Sequence, residues 1–464
     1  MKTNSLDFDA QALREKILDL AMRGKLVKQD PNDEPASVLL EKIKAEKAEL
    51  VKEGKIKKSK ALPEITDEEK PFDIPDSWKW VRLGEIGNYI QRGRSPKYDK
   101  ESLDHPIISQ KCVQWNSINI EYAKHITEDF FKKLEPYRFI QKNDILWNST
   151  GTGTVGRLNI VKDNYSHVPV DSHVTLMRMN QFIDSDYIYY FLRSPQIQKN
   201  LGDYLTGTTK QKELGLTNIL KINIPLPPVS EQSRIAAKIA QLFALLRKVE
   251  SSTQQYAKLQ TLLKSKVLDL AMRGKLVEQD PNDEPASVLL EKEGLKESNE
   301  IPHQIPNSWS WIVLGSGAKF INGRAYKKSE LLNDSSLTPI LRVGNLFTNS
   351  SYYYSDLKLN PDKYIDNGDL IYAWSASFGP QIWTGGHVIY HYHIWKVIPK
   401  QIIEKQFLYY FLLDKRNVIG ETDLHGSTMK HITKTNMEHL SFPLPPLSEQ
   451  KRIVKKINFL LEIL

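Results

Sequence analysis

The side chains best suited to chemistry in this sequence are basic, hydroxyl-bearing and aromatic residues in two similar loops. Residues 91–98 read QRGRSPKY, and residues 322–328 read NGRAYKK. Their cations suit DNA phosphates or the O6 and N7 edge of guanine. A single loop of this kind is more often ordinary solvated surface. Because the pattern occurs twice, the sequence favours a nucleic-acid contact.

Further turn-like stretches contain glycine and small hydroxyl residues. Residues 151–156 read GTGTVG, but the next residues, RLNIV, look like a strand, which favours a hairpin turn over a dinucleotide-binding loop. Residues 207–211 and 426–431 form a second matched pair, GTTKQ and GSTMKH. The candidate DNA-binding residues are Arg92, Arg94, Lys97, Tyr98, Asn148, Thr152, Thr154, Arg157, Thr208, Thr209, Lys210, Arg324, Tyr326, Lys327, Lys328, Arg342, Asn345, Ser375, Ser427, Thr428 and Lys430.

The sequence shows no catalytic centre. His391 and His393 alternate as in a strand, and His387 lies nearby, but no cysteine or carboxylate completes a zinc set, so packed histidines are the default. Phosphate-binding P-loops, methyltransferase motifs and Ser-His-Asp arrangements do not occur. We therefore predict no catalytic residue, no metal and no cofactor site in this chain.

Composition indicates a globular protein without disulfides. The chain has 464 residues, a formal net charge of +8 and one cysteine, Cys112. The positive charge is weak support for a polyanionic partner, and the single cysteine fits a reducing compartment. No signal peptide or apolar span is recognisable, so we expect a cytoplasmic protein that makes no use of a membrane.

The sequence segments that must position these loops occur twice in the chain. Residues 18–42 and 268–292 are identical except for Lys28 and Glu278. IPDSWKW at 74–80 returns as IPNSWSW at 305–311, and PLPPVSEQSRI at 225–235 returns as PLPPLSEQKRI at 443–453. The segments between these blocks differ in length and sequence. The repeated blocks, which we call the frame, therefore carry two inserts of different sequence.

A long helix joins the two copies. Residues 229–273 contain no proline or glycine, which predicts one helix or a tightly joined pair. Every seventh residue is apolar, as in a coiled coil, and the series is Ile235, Leu242, Val249, Tyr256, Leu263 and Leu270. The repeat offsets place the matching helical segments at the two ends of the chain, so we expect those ends to bury the stripe.

These patterns predict a mixed α and β fold (α+β) with two pseudo-symmetric globular domains separated by long antiparallel coiled-coil helices. We divide the chain into an N-terminal helical segment 1–61, a first insert domain 62–229, a central region with the long helix 230–302, a second insert domain 303–447 and a C-terminal helix 448–464. The lysine-rich stretch 42–60 is predicted to be a solvated helix or linker.

The repeated blocks together resemble the specificity (S) subunits of type I restriction-modification systems. The resemblance rests on the PLPP(V/L)SEQ(S/K)RI, LDLAMRGKL and IP(D/N)SW blocks and on the two unlike inserts, and it covers nearly the whole chain. It implies two target-recognition domains, each reading one half of a bipartite DNA site. The glycine-containing loops with Arg92 and Arg324, and those with Thr208 and Ser427, correspond to the loops of that family.

The resemblance also implies partners. Two modification subunits would bind the helices and restriction subunits would join them, directing adenine methylation or cleavage of double-stranded DNA. S-adenosylmethionine, ATP and magnesium would belong to those subunits, so this chain would not be an enzyme by itself. The alternative from another class is a two-armed helical scaffold that docks proteins without touching nucleic acid; a third hypothesis, an enzyme, would need activity from the chain alone.

Overall fold

The computed structural model describes residues 8–58, 60–207, 212–347, 350–375, 379–414, 417–418 and 432–464. It divides into two compact units, unit 1 from Met1 to Ser252 and unit 2 from Thr253 to Leu464. One helix, α8 (Val229–Met272), runs through the boundary between them. Of the two predicted forms, one helix or a tightly joined pair, the structure has one long helix.

Unit 1 combines short helices with several small sheets. Its helices before α8 are α1 (Ala10–Met22), α2 (Ala36–Lys52), α3 (Leu83–Ile86), α4 (Glu128–Phe131), α5 (Ser185–Leu192), α6 (Pro195–Gln198) and α7 (Leu216–Leu220). Its strands are β1 (Lys79–Arg82), β2 (Gly87–Arg92), β3 (Tyr98–Asp99), β4 (Pro106–Ile107), β5 (Lys124–Ile126), β6 (Ile145–Asn148), β7 (Leu158–Ile160), β8 (Val174–Met179), β9 (Leu205–Thr206), β10 (Glu213–Leu214) and β11 (Asn223–Leu226).

Unit 2 repeats this plan with its own details. Its helices after α8 are α9 (Ala286–Glu293), α10 (Leu314–Gly317), α11 (Val343–Phe347), α12 (Lys405–Leu413), α13 (Lys434–Glu438) and α14 (Leu447–Ile463). Its strands are β12 (Ser310–Val313), β13 (Ala318–Asn322), β14 (Thr338–Leu341), β15 (Tyr353–Ser355), β16 (Tyr364–Ile365), β17 (Leu370–Ala373), β18 (Gly379–Ile382), β19 (Val388–Tyr390), β20 (Ile394–Pro399) and β21 (Ser441–Leu444).

Each unit has a four-stranded antiparallel sheet of the same order, β2-β8-β6-β7 in unit 1 and β13-β20-β17-β18 in unit 2. Each also pairs its first and last strand, β1 with β11 and β12 with β21. The secondary sheets differ. Unit 1 has the three-stranded sheet β3-β5-β4, whereas unit 2 has four strands in the order β15-β14-β19-β16, with β14 and β19 parallel.

The repeated sequence blocks form one junction in each unit. In unit 1, Glu231 at the start of α8 is buried and accepts hydrogen bonds from the indole of Trp78, at 2.9 Å, and from Gln29. In unit 2, Glu449 accepts the same bonds from Trp309, at 2.9 Å, and from Gln279. A buried carboxylate needs such donors to offset its lost hydration. The three repeated blocks are therefore held together through one glutamate in each unit.

Ion pairs reinforce both junctions in the same way. Arg234 pairs with Asp33 at 2.5 Å in unit 1, and Arg452 pairs with Asp283 at 2.6 Å in unit 2. Burial raises the pKa of Glu231 above its usual value. Burial likewise raises the pKa of Glu449. The two junctions thus share residues, geometry and electrostatics.

The apolar stripe of α8 is buried towards its two ends. The heptad position Ile235 and its neighbours Ile239 and Leu246 belong to the core of unit 1, and Leu268, two residues before the heptad position Leu270, belongs to the core of unit 2. In the middle of the stripe, the predicted core positions Val249, Tyr256 and Leu263 are 43%, 60% and 47% exposed. The expectation that the chain's own ends bury the whole stripe is wrong for these positions. The ends do reach α8, since Arg14 of α1 pairs with Glu250 and Gln260 donates to Leu464 O, but they leave these three side chains exposed.

Helix α2 extends to Lys52, so the first part of the lysine-rich stretch 42–60 is a helix, one of the two forms predicted for it. The Lys47 ammonium donates to the backbone oxygens of Gly84, Glu85 and Gly87, and burial lowers its pKa. A tertiary contact to the end of α3 therefore holds this part of α2. The segment 391–393, predicted as strand, is a turn between β19 and β20.

Candidate nucleic-acid interface

Loops from several strands meet at one end of the main sheet of unit 1. We call residues 93–98, 110–114, 149–157 and 171–173 the loop edge of unit 1. Gly93 N donates to Val174 O at 3.1 Å, Ser149 N donates to His173 O at 2.8 Å, and Asp171 N donates to Ile108 O at 2.9 Å. These backbone bonds bring the glycine-containing loop, the hairpin turn after β6 and the turn before β8 together.

The same bonds build the loop edge of unit 2, which consists of residues 323–328, 342–345, 374–375 and 391–393. Gly323 N donates to Ile394 O at 3.2 Å, Trp374 N donates to His393 O at 3.1 Å, and His391 N donates to Leu341 O at 2.9 Å. The two loop edges are therefore equivalent position by position, with Ser149 matching Trp374 and His173 matching His393.

A glycine is required where each basic loop crosses the adjacent turn. A Cβ atom on Gly93 would lie 1.9 Å from Val170 O, and one on Gly323 would lie 2.3 Å from Tyr390 O. Both obstacles are backbone atoms that cannot rotate away. Glycine at these two positions lets the loops with Arg94 and Arg324 pass directly over the turns at 171 and 391, where each arginine forms a β-bridge.

The predicted basic residues of unit 1 differ in how accessible their side chains are to a ligand. Arg92 donates to Glu213, at 3.1 Å, and to Leu214 O, at 2.7 Å, so its guanidinium is tied to β10. Arg94 is 44% exposed at its side chain and pairs with Glu135 at 3.0 Å. Lys97 and Tyr98 are exposed at the surface. The face available to a ligand therefore consists of Arg94, Lys97 and Tyr98.

The hairpin turn after β6 holds the other predicted residues of unit 1. Asn148 is fully buried and donates to Gln110 O at 2.9 Å, so it positions a neighbouring loop and cannot reach a ligand. Thr152 is exposed. The Thr154 hydroxyl hydrogen-bonds the Gln110 side chain at 3.2 Å, and Arg157 donates to Gln114 at 3.0 Å. The GTGTVG segment is a hairpin turn, as the strand after it predicted.

In unit 2 the predicted residues converge on the turn 391–393. Arg324 pairs with Glu330 at 2.7 Å and lies 5.5 Å from the ring centroid of Tyr326. The Tyr326 hydroxyl donates to Tyr390 O at 3.3 Å, and burial raises its pKa. Lys327 and Lys328 are exposed. Together these residues give the second loop edge a cationic side.

The remaining predicted residues of unit 2 lie close by. Arg342 lies over the Tyr353 ring at 4.5 Å, and its backbone N–H donates to the Asn345 side chain at 3.0 Å. Asn345 in turn donates to Ser351 O at 2.7 Å. Ser375 follows Trp374 at the end of β17 and is half-buried. The predicted residues outside the described residues are Thr208, Thr209, Lys210, Ser427, Thr428 and Lys430.

Sequence reasoning missed several side chains at both loop edges. Gln110 and His173 lie at the edge of unit 1, where His173 hydrogen-bonds Thr150 at 2.6 Å. Trp374, Tyr392 and His393 form an aromatic group at the edge of unit 2. An alignment of His173 with His393 in the sequence could have indicated these positions, since the two histidines accept equivalent backbone bonds in the two units.

The three histidines considered for zinc do not form a metal site. Within the described ranges, no group of three or more His, Cys, Asp or Glu side chains is arranged to hold a metal ion. His387 hydrogen-bonds Asp366 at 2.6 Å and stacks on Tyr364. His391 packs against Tyr392 and His393. The structure therefore accounts for all three histidines through packing and hydrogen bonds.

Comparison with known proteins identifies the class to which these features belong. A family model described as the type I restriction modification DNA specificity domain matches residues 75–260 and 306–462. The chain is 31% identical to the type I restriction enzyme EcoAI specificity subunit of Escherichia coli, over 98% of this chain and 89% of that protein. It is 32% identical to the EcoEI specificity subunit of Escherichia coli, over 66% of this chain and 62% of that protein.

Solved structures agree in fold. The HsdS subunit from Thermoanaerobacter tengcongensis has a TM-score of 0.54 and 19% identity, covering 84% of this chain and 91% of that one. A chain from a structural study of type I R-M complex assembly and conformational transition has a TM-score of 0.57 and 21% identity, covering 84% and 92%. The present chain belongs to the family of type I restriction-modification DNA specificity subunits.

Family membership confirms the prediction of a DNA specificity subunit and does not support the protein-docking scaffold. It also confirms the mixed α and β fold class. The curated relatives are specificity subunits, which are the non-catalytic recognition components of their complexes, as the sequence predicted for this chain. In the part of the chain that the structure describes, every helix is too short or too polar to cross a bilayer.

Proposed function

We propose that each loop edge binds one half of a bipartite double-stranded DNA target. The observation that carries this proposal is the equivalence of the two edges, in which the same backbone bonds present Arg94 and Lys97 in unit 1 and Lys327 and Lys328 in unit 2. Exposed cations bind phosphates, and the polar and aromatic groups beside them suit base edges. In this proposal the recognition domains are residues 62–229 and 303–447.

Membership in this family also suggests which proteins bind this chain. We propose that two modification subunits and restriction subunits assemble with this chain in the cytoplasm and direct adenine methylation or cleavage. S-adenosylmethionine, ATP and magnesium would bind those subunits. In unit 2, the exposed side chains of Tyr256 and Leu263 on α8 support a helical docking surface for them, because exposed apolar side chains grouped on one helix often contact a partner.

The experiment that tests the proposal uses the full chain assembled with its modification subunits. Adenine methylation is mapped by sequencing DNA from cells that express the complex, which defines the target. Binding of that duplex is then measured over a range of salt concentrations, and the proposal predicts a steep loss of affinity with salt. Binding that ignores salt and sequence would contradict it. The purified chain alone is expected to leave DNA chemically unchanged.

A further inference from the structure

The two loop edges carry different chemistry at equivalent backbone positions. Ser149 and Trp374 each donate their backbone N–H to the histidine oxygen of the adjacent turn. The turns themselves read Asp171-Ser172-His173 in unit 1 and His391-Tyr392-His393 in unit 2. Small polar residues in one unit are thus replaced by aromatic rings in the other, on the same backbone frame.

The aromatic rings of unit 2 are held rigidly. The Trp374 indole N–H donates to Tyr392 O at 2.9 Å, and its ring stacks on buried Trp395 with centroids 5.8 Å apart. Tyr392 and His393 pack with centroids 3.9 Å apart, and Trp374 meets His393 edge-on at 4.9 Å. Rings fixed by packing lose little further freedom on binding, which favours their use as a contact surface.

One ring of this group reaches the protein surface, since Tyr392 is 37% exposed. Burial, with His393 and Arg342 nearby, lowers the pKa of His391 to about 4, so this ring is neutral at physiological pH. A cation lies near the group, since Arg324 lies over Tyr326, which stacks on His391. An exposed aromatic ring thus lies near a guanidinium that is suited to phosphates.

We propose that the ring of Tyr392, supported by Trp374 and His393, contacts the 5-methyl group of a thymine in the half-site bound by unit 2. The inference rests on the proposed DNA-binding function. The thymine methyl is the one apolar group that base pairs present in the major groove, so a rigid aromatic surface there recognises an A·T pair by its methyl. Ser172 at the equivalent position of unit 1 offers no ring for such a contact.

The test replaces thymine by uracil, which removes only the methyl group. Once the target is mapped, duplexes are made with uracil at each thymine of the unit 2 half-site in turn, and separately at each thymine of the unit 1 half-site. Affinity is measured for the complex of the full chain with its modification subunits. We expect one unit 2 position to lose about fourfold in affinity, the value for one buried methyl group.

Two substitutions of Tyr392 separate the ring from its hydroxyl. Y392F keeps the ring, and we expect it to keep the fourfold preference for thymine over uracil. Y392S installs the residue that stands at the equivalent position of unit 1, and we expect it to bind both duplexes equally. Circular dichroism of each variant verifies folding, and the comparison of thymine with uracil by the unsubstituted chain needs no variant.

Several results would overturn the inference. Equal affinity of the unsubstituted chain for thymine and uracil at every unit 2 position would exclude the methyl contact. A preference retained by Y392S, or lost by Y392F, would show that the ring of Tyr392 is not its source. A unit 2 half-site made only of G·C pairs would also contradict it. Binding that is equal on target and unrelated DNA would overturn the proposed function together with this inference.

Discussion

The junctions and the loop edges of the two units differ in how much they share. At the junctions, Glu231 and Glu449 accept the same bonds from a tryptophan and a glutamine. At the loop edges, the backbone bonds are shared but several of the side chains are not, as Ser172 and Tyr392 show. Repeated sequence thus marks the frame. Recognition can diverge between the units because the side chains at the edge do not hold the frame together.

The largest expected effect comes from the glycines that the frame requires. We expect G93A and G323A each to destabilise its own unit by about 3 kcal/mol, because a Cβ would meet a backbone oxygen at 1.9 Å or 2.3 Å. Recognition of the corresponding half-site should be lost as well. Denaturant unfolding measures the first effect and methylation mapping the second.

G202A is the matched control, because a Cβ at that position would have no atom within 4 Å apart from the adjoining backbone. It should change stability by less than about 1 kcal/mol. If both variants behaved like the control, the glycines would not be required at these crossings. If G93A altered the half-site of unit 2, the two loop edges would not act separately.

The next effect tests whether the junctions are alike. E231A and E449A should each cost about 1 to 3 kcal/mol in the free energy of unfolding, because each leaves a buried tryptophan N–H without its acceptor. We expect the two costs to agree within about 0.5 kcal/mol. A large loss of unfolding free energy in one unit and none in the other would mean that the two glutamates do not stabilise their junctions in the same way.

Substitution of one arginine in each loop edge tests whether the two edges bind different half-sites. R94A and R324A should weaken DNA binding independently, each at one half-site. Loss of a phosphate contact lowers the salt slope by about one, whereas loss of a base contact costs about 1 to 3 kcal/mol and relaxes one position. Affinity measured over salt, with each half-site varied in turn, distinguishes these cases. Effects of both substitutions on the same half-site would refute two separate readers.

A smaller effect follows from the raised pKa of the junction glutamates. Because burial raises the pKa of Glu231 in the folded state, folding binds a proton there at a pH where the unfolded chain has lost it. The contribution of this group to stability is therefore greatest below the ordinary glutamate pKa of about 4 and is lost as pH rises through the raised value. Relative to the unsubstituted chain, E231Q should gain stability as pH rises through this window.

The control for this prediction is E449Q, which should behave alike, since burial also raises the pKa of Glu449. Unfolding is measured from about pH 4 to pH 7 for both variants and the unsubstituted chain. If the unfolding free energies of variant and unsubstituted chain differed by the same amount at every pH, the pKa of these carboxyl groups would not change on folding.

Much of the frame was predictable because its signals are local. Absence of proline and glycine predicted α8, and the strand-like residues after GTGTVG predicted the hairpin turn. The loop edges were harder. Gln110 and Tyr392 lie far from Arg94 and Arg324 in sequence, and only strand pairing brings them together. The burial of Asn148 was missed for the same reason, since its partner Gln110 belongs to another loop.

If the two loop edges read DNA independently, a substitution in one edge changes one half-site only, and methylation mapping measures this. Complexes containing the unsubstituted chain, Q110A or Y392S are expressed in otherwise identical cells, and their methylated motifs are compared. Gln110 is held by Thr154 at the edge of unit 1, so Q110A should relax one position in one half-site. Y392S should relax one position in the other half-site only. Relaxation of the same half-site by both variants, or of both half-sites by either one, would mean that the two loop edges do not read DNA independently.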